Sequence, residues 1–349
     1  MGSIVLDSVN CLTTLKMSRA MPDIVKPIRS LLAAGLLAAC VTAMAAPQCI
    51  VPAKPGGGMD LTCKLAQQGL ARAGGISNEA PLRISYLPGG IGAVAWNSVV
   101  SQKRGEADTL VAFSGGSLLN LAEGKYGRAS AADVRWVAAL GTDYGMIAVR
   151  KDSPYQTLRD LVAAWKKNPA QVVIGAGGTI GSQDWLKVAQ IARQGGVDIK
   201  DLRFVALEGG GEAFTALLAG HVQAVSGDVS EAMLHAGVDK KNPEIRVLAV
   251  LSDARLPGAL ANVPTAREQG FDVTWPIIRG LYMGSHASDA DYRKWVARFA
   301  QAMAAPDFDR LRIEHGLYPF AMTGDALTTY INKTVDNYGK QAKELGLVR

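Results

Sequence analysis

Five short glycine-rich segments are the parts of this 349-residue sequence best suited to hold a charged ligand. They are Gly56-Gly57-Gly58-Met59-Asp60, Pro88-Gly89-Gly90-Ile91-Gly92, Ser114-Gly115-Gly116-Ser117, Gly177-Gly178-Thr179-Ile180-Gly181-Ser182 and Gly209-Gly210-Gly211-Glu212. Each follows a short apolar run and opens a helical pattern. The first backbone N–H groups of a helix have no partner within it and lie at the positive end of its dipole. Glycine removes the Cβ that would hold an anion at a distance, so such a turn can bind a carboxylate through main chain alone. A single turn of this kind has a plain steric explanation, because tight strand-to-helix connections need glycine anyway. Several in one chain point instead to a ligand with more than one carboxylate. Ser114, Ser117, Asn120, Thr179 and Ser182, in or beside the turns, add hydroxyl and amide hydrogen-bonding capacity.

Other chemistries lack their residues. No G-x-x-x-x-G-K-[ST] phosphate loop is present, since Gly124-Lys125 is followed by Tyr126, and no G-x-S-x-G nucleophile elbow occurs. The four histidines, His221, His235, His286 and His315, have neither H-E-x-x-H nor C-x-x-C company. The run Gly175-Ala176-Gly177-Gly178-Thr179-Ile180-Gly181, with Glu208 ending the next apolar run, is one residue off the dinucleotide spacing. The expectation is therefore a binding protein, with no catalytic residues, no cofactor and no metal.

Composition agrees with a folded, exported chain. It is 48% hydrophobic and 19% charged, enough apolar material for a core and too little charge for disorder. Four basic and two acidic residues lie among the first 45, leaving a net charge of +4 on the remainder. No Lys/Arg run is long enough to bind nucleic acid. Residues 1–45 read as a secretory signal with a misplaced start: Lys26 and Arg29, the apolar stretch Leu31–Ala39, then Ala43-Met44-Ala45 as a cleavage site. Leu37-Ala38-Ala39-Cys40 also fits a lipoprotein box, which would anchor Cys40 to a membrane. Cleavage after Ala45 leaves Cys49 and Cys63, an even pair in an oxidising compartment. They are expected to form a disulfide, the alternative being two buried thiols.

Elements must bring the turns together. Strands are predicted at Cys49–Ala53, Leu82–Tyr86, Thr109–Ser114, Val134–Leu140, Met146–Arg150, Gln171–Gly175, Arg203–Leu207, Val222–Ser226, Ile245–Leu251 and Gly280–Gly284. Amphipathic helices alternate with them, one from Asp60 with Leu61, Leu65 and Leu70 inward, another from Glu212 with Phe214, Leu217 and Leu218 inward. This alternation predicts an α/β fold with mainly parallel sheets and ligands at the strand carboxyl ends. Two lobes, 46–145 plus 273–349 and 146–272, would let early and middle turns face one another across a cleft.

Eight segments then carry a resemblance: Pro52–Gln67, Tyr86–Asn97, Phe113–Leu121, Gly141–Arg150, Gly175–Trp185, Glu208–Glu212, Ser226–Glu231 and Trp275–Gly280. In order, and over essentially all of 48–349, they are similar to the receptor of the tripartite tricarboxylate transporter, within the Bordetella-type uptake receptors. The resemblance implies a type II-like periplasmic binding protein that works as a monomer. It would close on a tricarboxylate such as citrate and dock on membrane permease subunits. It also implies that Gly57, Gly58, Met59 and Asp60, with Gly89, Gly90 and Gly92, hold one ligand carboxylate. Thr179, Ile180, Gly181, Ser182, Gly210 and Gly211 are proposed for the others, with Tyr144 in the Gly141–Arg150 segment. Met59 departs from the aromatic residue that related receptors often carry.

Lys54 and Arg279 are candidate counter-charges, their alternatives being a surface charge and a hinge salt bridge. Asp143 and Asp228 would repel an anion unless protonated or facing a hydroxyl, so they either touch ligand or cap helices and orient loops. The competing functions are a same-fold receptor for a dicarboxylate or aromatic acid, a ligand sensor for a signalling kinase, and a periplasmic enzyme.

Overall fold

The computed structural model describes residues 46–77, 80–237, 243–344 and 346–348. The expected signal, Cys11 and Cys40 lie outside the described residues. Strand β1 (Gln48–Val51) forms because Cys49, Ile50 and Val51 are buried between parallel neighbours β2 (Arg83–Tyr86) and β3 (Thr109–Ser114). Helix α1 (Gly58–Arg72) packs Leu65, Ala66 and Leu70 onto this sheet with Leu61 also buried, and a disulfide between Cys49 and Cys63 ties helix to strand. Short α2 (Ala93–Ser101) and α3 (Gly115–Ala122) follow β2 and β3.

The largest departure from expectation is β4 (Val134–Arg150), one 17-residue strand where two were predicted. The Gly141-Thr142-Asp143-Tyr144-Gly145 segment has the look of a break, but its glycines serve close packing. A Cβ on Gly141 would lie 3.2 Å from the Tyr318 carbonyl, and one on Gly145 would lie 2.8 Å from Lys187 Cε. The strand therefore runs on. Its first half pairs antiparallel with β9 (Pro276–Gly284) and β10 (Met322–Thr323), its second half antiparallel with β7 (Ala224–Asp228) and β8 (Ile245–Val250).

The second sheet is completed by β5 (Val173–Gly177), parallel to both β7 and β6 (Arg203–Leu207). The strand order is β2-β1-β3-β9-β4-β7-β5-β6. Pairing is thus parallel in the outer strands, as expected, and antiparallel wherever β4 and β9 take part; β4 belongs to both halves. Helices α4 (Leu158–Lys167), α5 (Gln183–Gln194), α6 (Gly210–Leu218) and α7 (Val229–Ala236) cover the second half. The C-terminal helices α8 (Asp289–Ala304), α9 (Pro306–Glu314) and α10 (Gly324–Glu344) belong to the first. Apolar clusters fill the two faces of each half, one around Leu65, Leu110 and Phe299 and another around Trp165, Ile174 and Leu186. The predicted strand at Gly280–Gly284 begins four residues earlier, at Pro276, which brings Arg279 into the sheet interior.

Candidate functional site

Four of the five glycine turns meet at one crevice between the halves. It has a volume of ≈ 130 Å³ and is walled by the starts of α1, α3, α5 and α6. The α1 and α6 starts have glycine caps, Gly57 and Gly209, and no side-chain cap of their own. At α3, Ser114 Oγ accepts from the Gly116 N–H and Ser117 Oγ accepts from the Ser114 N–H. At α5, Ser182 Oγ accepts from the Trp185 N–H. These three hydroxyls, expected to serve a ligand, are engaged in holding helix starts in place.

Lys54, Gly57, Gly58, Met59, Ser114, Ser117, Asn120, Ser182, Gly210, Gly211, Asp228 and Arg279 line the crevice. Gly89, Gly90 and Thr179 line an adjoining recess that shares Pro52, Ala53, Ile91, Gly178 and Glu208 with it. Asp60, Gly92, Tyr144, Ile180 and Gly181 line neither. Asp60 is turned inward to accept from the Gly56 N–H, Lys64 and Tyr86 Oη, so it shapes the first turn. A Cβ on Gly92 would lie 2.7 Å from Tyr126 Oη, which marks close packing. Tyr144 stacks edge-on against Tyr318, Ile180 is 65% exposed, and Gly181 faces Glu123 and Lys125.

The crevice floor holds a buried charge network that sequence reasoning saw only in part. Strand β9 places Arg279 between Ser114 of β3 and Gly141 of β4. Its Nη2 donates to Asp143 Oδ2 at 2.8 Å and to Asp228 Oδ2 at 2.6 Å. Asp143 also accepts from Ser230 Oγ, the Ser230 N–H and the Tyr144 N–H. Lys187, fully buried on α5, donates to Asp184 Oδ1 at 2.7 Å, Asp228 Oδ1 at 2.6 Å and the Gly227 carbonyl.

Burial works against every charge in this network, and the partners decide which survive. Burial pushes Asp228 up, but Lys187 and Arg279 outweigh it and hold the carboxyl below its usual range. Burial raises Asp184 to about 6 despite Lys187. Burial would lower Lys187 and Arg279, yet the surrounding carboxylates raise both. Glu231 is the exception. It accepts from the Gly58 N–H at 3.0 Å and is within salt-bridge distance of no cation among the described residues; burial first, then the Asp228 charge, push it up to about 8.

Several of these contacts join the two halves. Lys54, after β1, reaches Glu212 at 2.5 Å and Glu208 at 3.3 Å on the opposite side. Its side chain is half exposed, so the pair contributes little by itself. Arg279 to Asp228, Gly58 to Glu231, and His235 to the Gly56 carbonyl are the others. The charged and polar residues missed by sequence reasoning are Gln183, Asp184, Lys187, Glu208, Glu212 and Glu231. One signal could have found Lys187: it falls on the inward face of α5, three residues after Asp184 and four before buried Ile191.

A sequence model described as the tripartite tricarboxylate transporter family receptor matches residues 122–347. None of the curated proteins matches the chain by sequence. A protein described as a periplasmic transporter shares 19% identity at a TM-score of 0.76, over 88% of this chain and 99% of that one. MatC from Rhodopseudomonas palustris with bound malate shares 20% at 0.71, over 85% and 99%. A Rhodopseudomonas palustris protein with adipate shares 19% at 0.74, over 87% and 98%. At these identities the likeness is one of fold, the two-lobed α/β architecture of periplasmic binding proteins.

Proposed function

The chain belongs to the tripartite tricarboxylate transporter receptor family, and from that premise we propose that it captures a small carboxylic acid in the periplasm and delivers it to permease subunits in the membrane. The observation that carries the reading is the convergence of four helix starts, two of them with glycine as the cap residue, on one crevice. Main-chain N–H groups there can neutralise a carboxylate without basic side chains. In this reading the solute is captured and released unchanged. Among the described residues no helix is long and apolar enough to cross a membrane.

Capture follows from linkage. In this reading 46–145 with 273–349 forms one lobe and 146–272 the other, with hinges near Gly145–Arg150 and Phe271–Trp275. A solute touching both lobes stabilises the closed form by its additional contacts and shifts the population accordingly. The permease then reads the closed monomer. Malate and adipate, carried by two structural neighbours, support carboxylates as the class. The crevice itself favours one or two carboxylates over the three of citrate: Lys54 is taken by Glu208 and Glu212, and Arg279 by Asp143 and Asp228. A trianion would meet no cation without a carboxylate partner among the lining residues described, Arg279 Nε being the one cationic donor there left unfilled.

A thermal-shift panel of citrate, malate, succinate, adipate and benzoate tests the proposal. A solute at 100 times its Kd stabilises by about 2.7 kcal/mol. Stabilisation by dicarboxylates is the expected result, stabilisation by citrate alone would restore the tricarboxylate, and a flat response across the panel and its amino-bearing analogues would remove the carboxylate class.

A further inference from the structure

The crevice and its floor hold more carboxyl groups than cations. Asp143, Asp184, Asp228 and Glu231 surround Arg279 and Lys187, and at the mouth Glu208 and Glu212 surround Lys54. Three of the four inner acids touch a cation. Glu231 does not; it is held only by the Gly58 N–H and sits hard against Gly210, where a Cβ would fall 1.8 Å from Glu231 Oε2. The wall also offers acceptors that nothing in the protein fills. Asn120, 2% exposed, spends its Nδ2 on the Ile91 carbonyl and leaves Oδ1 without a partner; Gln183 Oε1 is likewise unfilled. A buried polar atom left empty costs about 1–3 kcal/mol, so these two acceptors suit a ligand that donates N–H or O–H, while the donor Arg279 Nε, also unfilled, suits that ligand's carboxylate. Among the described residues no group of three or more His, Cys, Asp or Glu is arranged to hold a metal ion.

We propose that the captured solute carries a cationic nitrogen beside its carboxylate, as an amino acid does, and that Glu231 is the counter-ion that selects it. The proposal rests on the crevice being the solute site. Helix starts take the carboxylate, Glu231 takes the ammonium, and Asn120 and Gln183 take its remaining N–H groups. The groups facing Glu231 are Asp228 at the end of β7, Asp184 on α5, Arg279 on β9 and the α1 start, with His235 one turn along α7. Its carboxyl, raised to about 8, is mostly protonated at pH 7. An arriving ammonium lowers that value, so binding releases up to about one proton. A purely anionic solute raises it and can only take protons up.

Isothermal titration at pH 7, in two buffers of different ionisation enthalpy, reads both affinity and proton count. The probes are matched pairs: succinate with L-aspartate, glutarate with L-glutamate, propionate with β-alanine. Citrate is added as a control. The expected result is that in at least one pair the amino-bearing member binds more than about tenfold tighter, with proton release, and that Glu231→Gln shrinks that preference. Tighter binding of the deaminated members or of citrate, or proton uptake, overturns the inference while leaving carboxylate capture standing. Binding by no probe of either kind overturns both. The proton count on the unmodified protein decides even where the variant fails to fold.

Discussion

Removing Arg279 should be among the most damaging single changes in the crevice, and its cost should depend on pH. The guanidinium bridges Asp143 and Asp228, all three being nearly fully buried. In Arg279→Leu the two acids fare differently. Asp228 keeps Lys187 at 2.6 Å. Asp143 keeps only neutral donors, Ser230 and the Tyr144 N–H, and becomes a buried charge with no cation. Orphaning one buried charge costs about 3–5 kcal/mol, a large part of the roughly 5–15 kcal/mol that holds a domain together. Burial already holds Asp143 above its usual range in the intact protein, and losing the Arg279 charge raises it further above the unfolded value. Protonated Asp143 therefore favours the folded variant at low pH, and that benefit disappears as pH rises. Urea unfolding at pH 5 and pH 8 should show the larger penalty at pH 8, and Arg279→Leu combined with Asp143→Asn should recover at least about 1 kcal/mol there. A penalty below about 1 kcal/mol at pH 8, or one unchanged between the two values, would refute the assignment of Arg279 as the clamp on these carboxylates.

Three further outcomes follow from the same geometry. Glu231, raised to about 8, stabilises the unliganded fold while protonated and loses that contribution as pH climbs through 8; unfolding measured from pH 6 to 9 should show a fall on the order of a few kcal/mol, flattened in Glu231→Gln. Gly58→Ala places a methyl 2.3 Å from the Arg279 guanidinium; solute affinity, followed by titration, should drop at least about tenfold, and unchanged affinity would mean that the α1 start is not at the site. Reducing the Cys49–Cys63 disulfide frees a loop of 14 residues' separation; the entropic account predicts a loss of about 3 kcal/mol, read as a lowered urea midpoint on adding reductant.

What was legible in the sequence was whatever glycine and apolar spacing record. The predicted bounds of β3 and β6 coincide with the observed strands, because each is a short, largely apolar run closed at its end by a glycine turn. The glycine turns gave away four helix starts, and at two of them a Cβ has no room, Gly58 lying against Arg279 and Gly210 against Glu231. The same signal misled at Gly141 and Gly145. A glycine needed for close approach inside a strand looks, one residue at a time, like a glycine needed to end one.

The charged floor was hidden for a different reason. Asp184 and Lys187 are spaced i, i+3 on a helix, the pattern of an ordinary solvated pair, and Glu231 in the first turn of α7 reads as an acid complementing a helix dipole. Tertiary packing turns them inward, and only Lys187, in line with buried Ile191, left a trace of this in its spacing. Once buried, their meaning reverses: a solvated acid near an anion site is a minor repulsion, whereas Glu231, dry and without a cation, sets which charge a visiting molecule must bring. The helix starts say that a carboxylate can be held. The excess of buried acids over buried bases says that a carboxylate alone leaves the crevice electrostatically unfinished. Two receptors with the same glycine turns can therefore share a fold and a carboxylate site and still differ in solute, because the difference resides in side chains such as Glu231 on the first turn of α7.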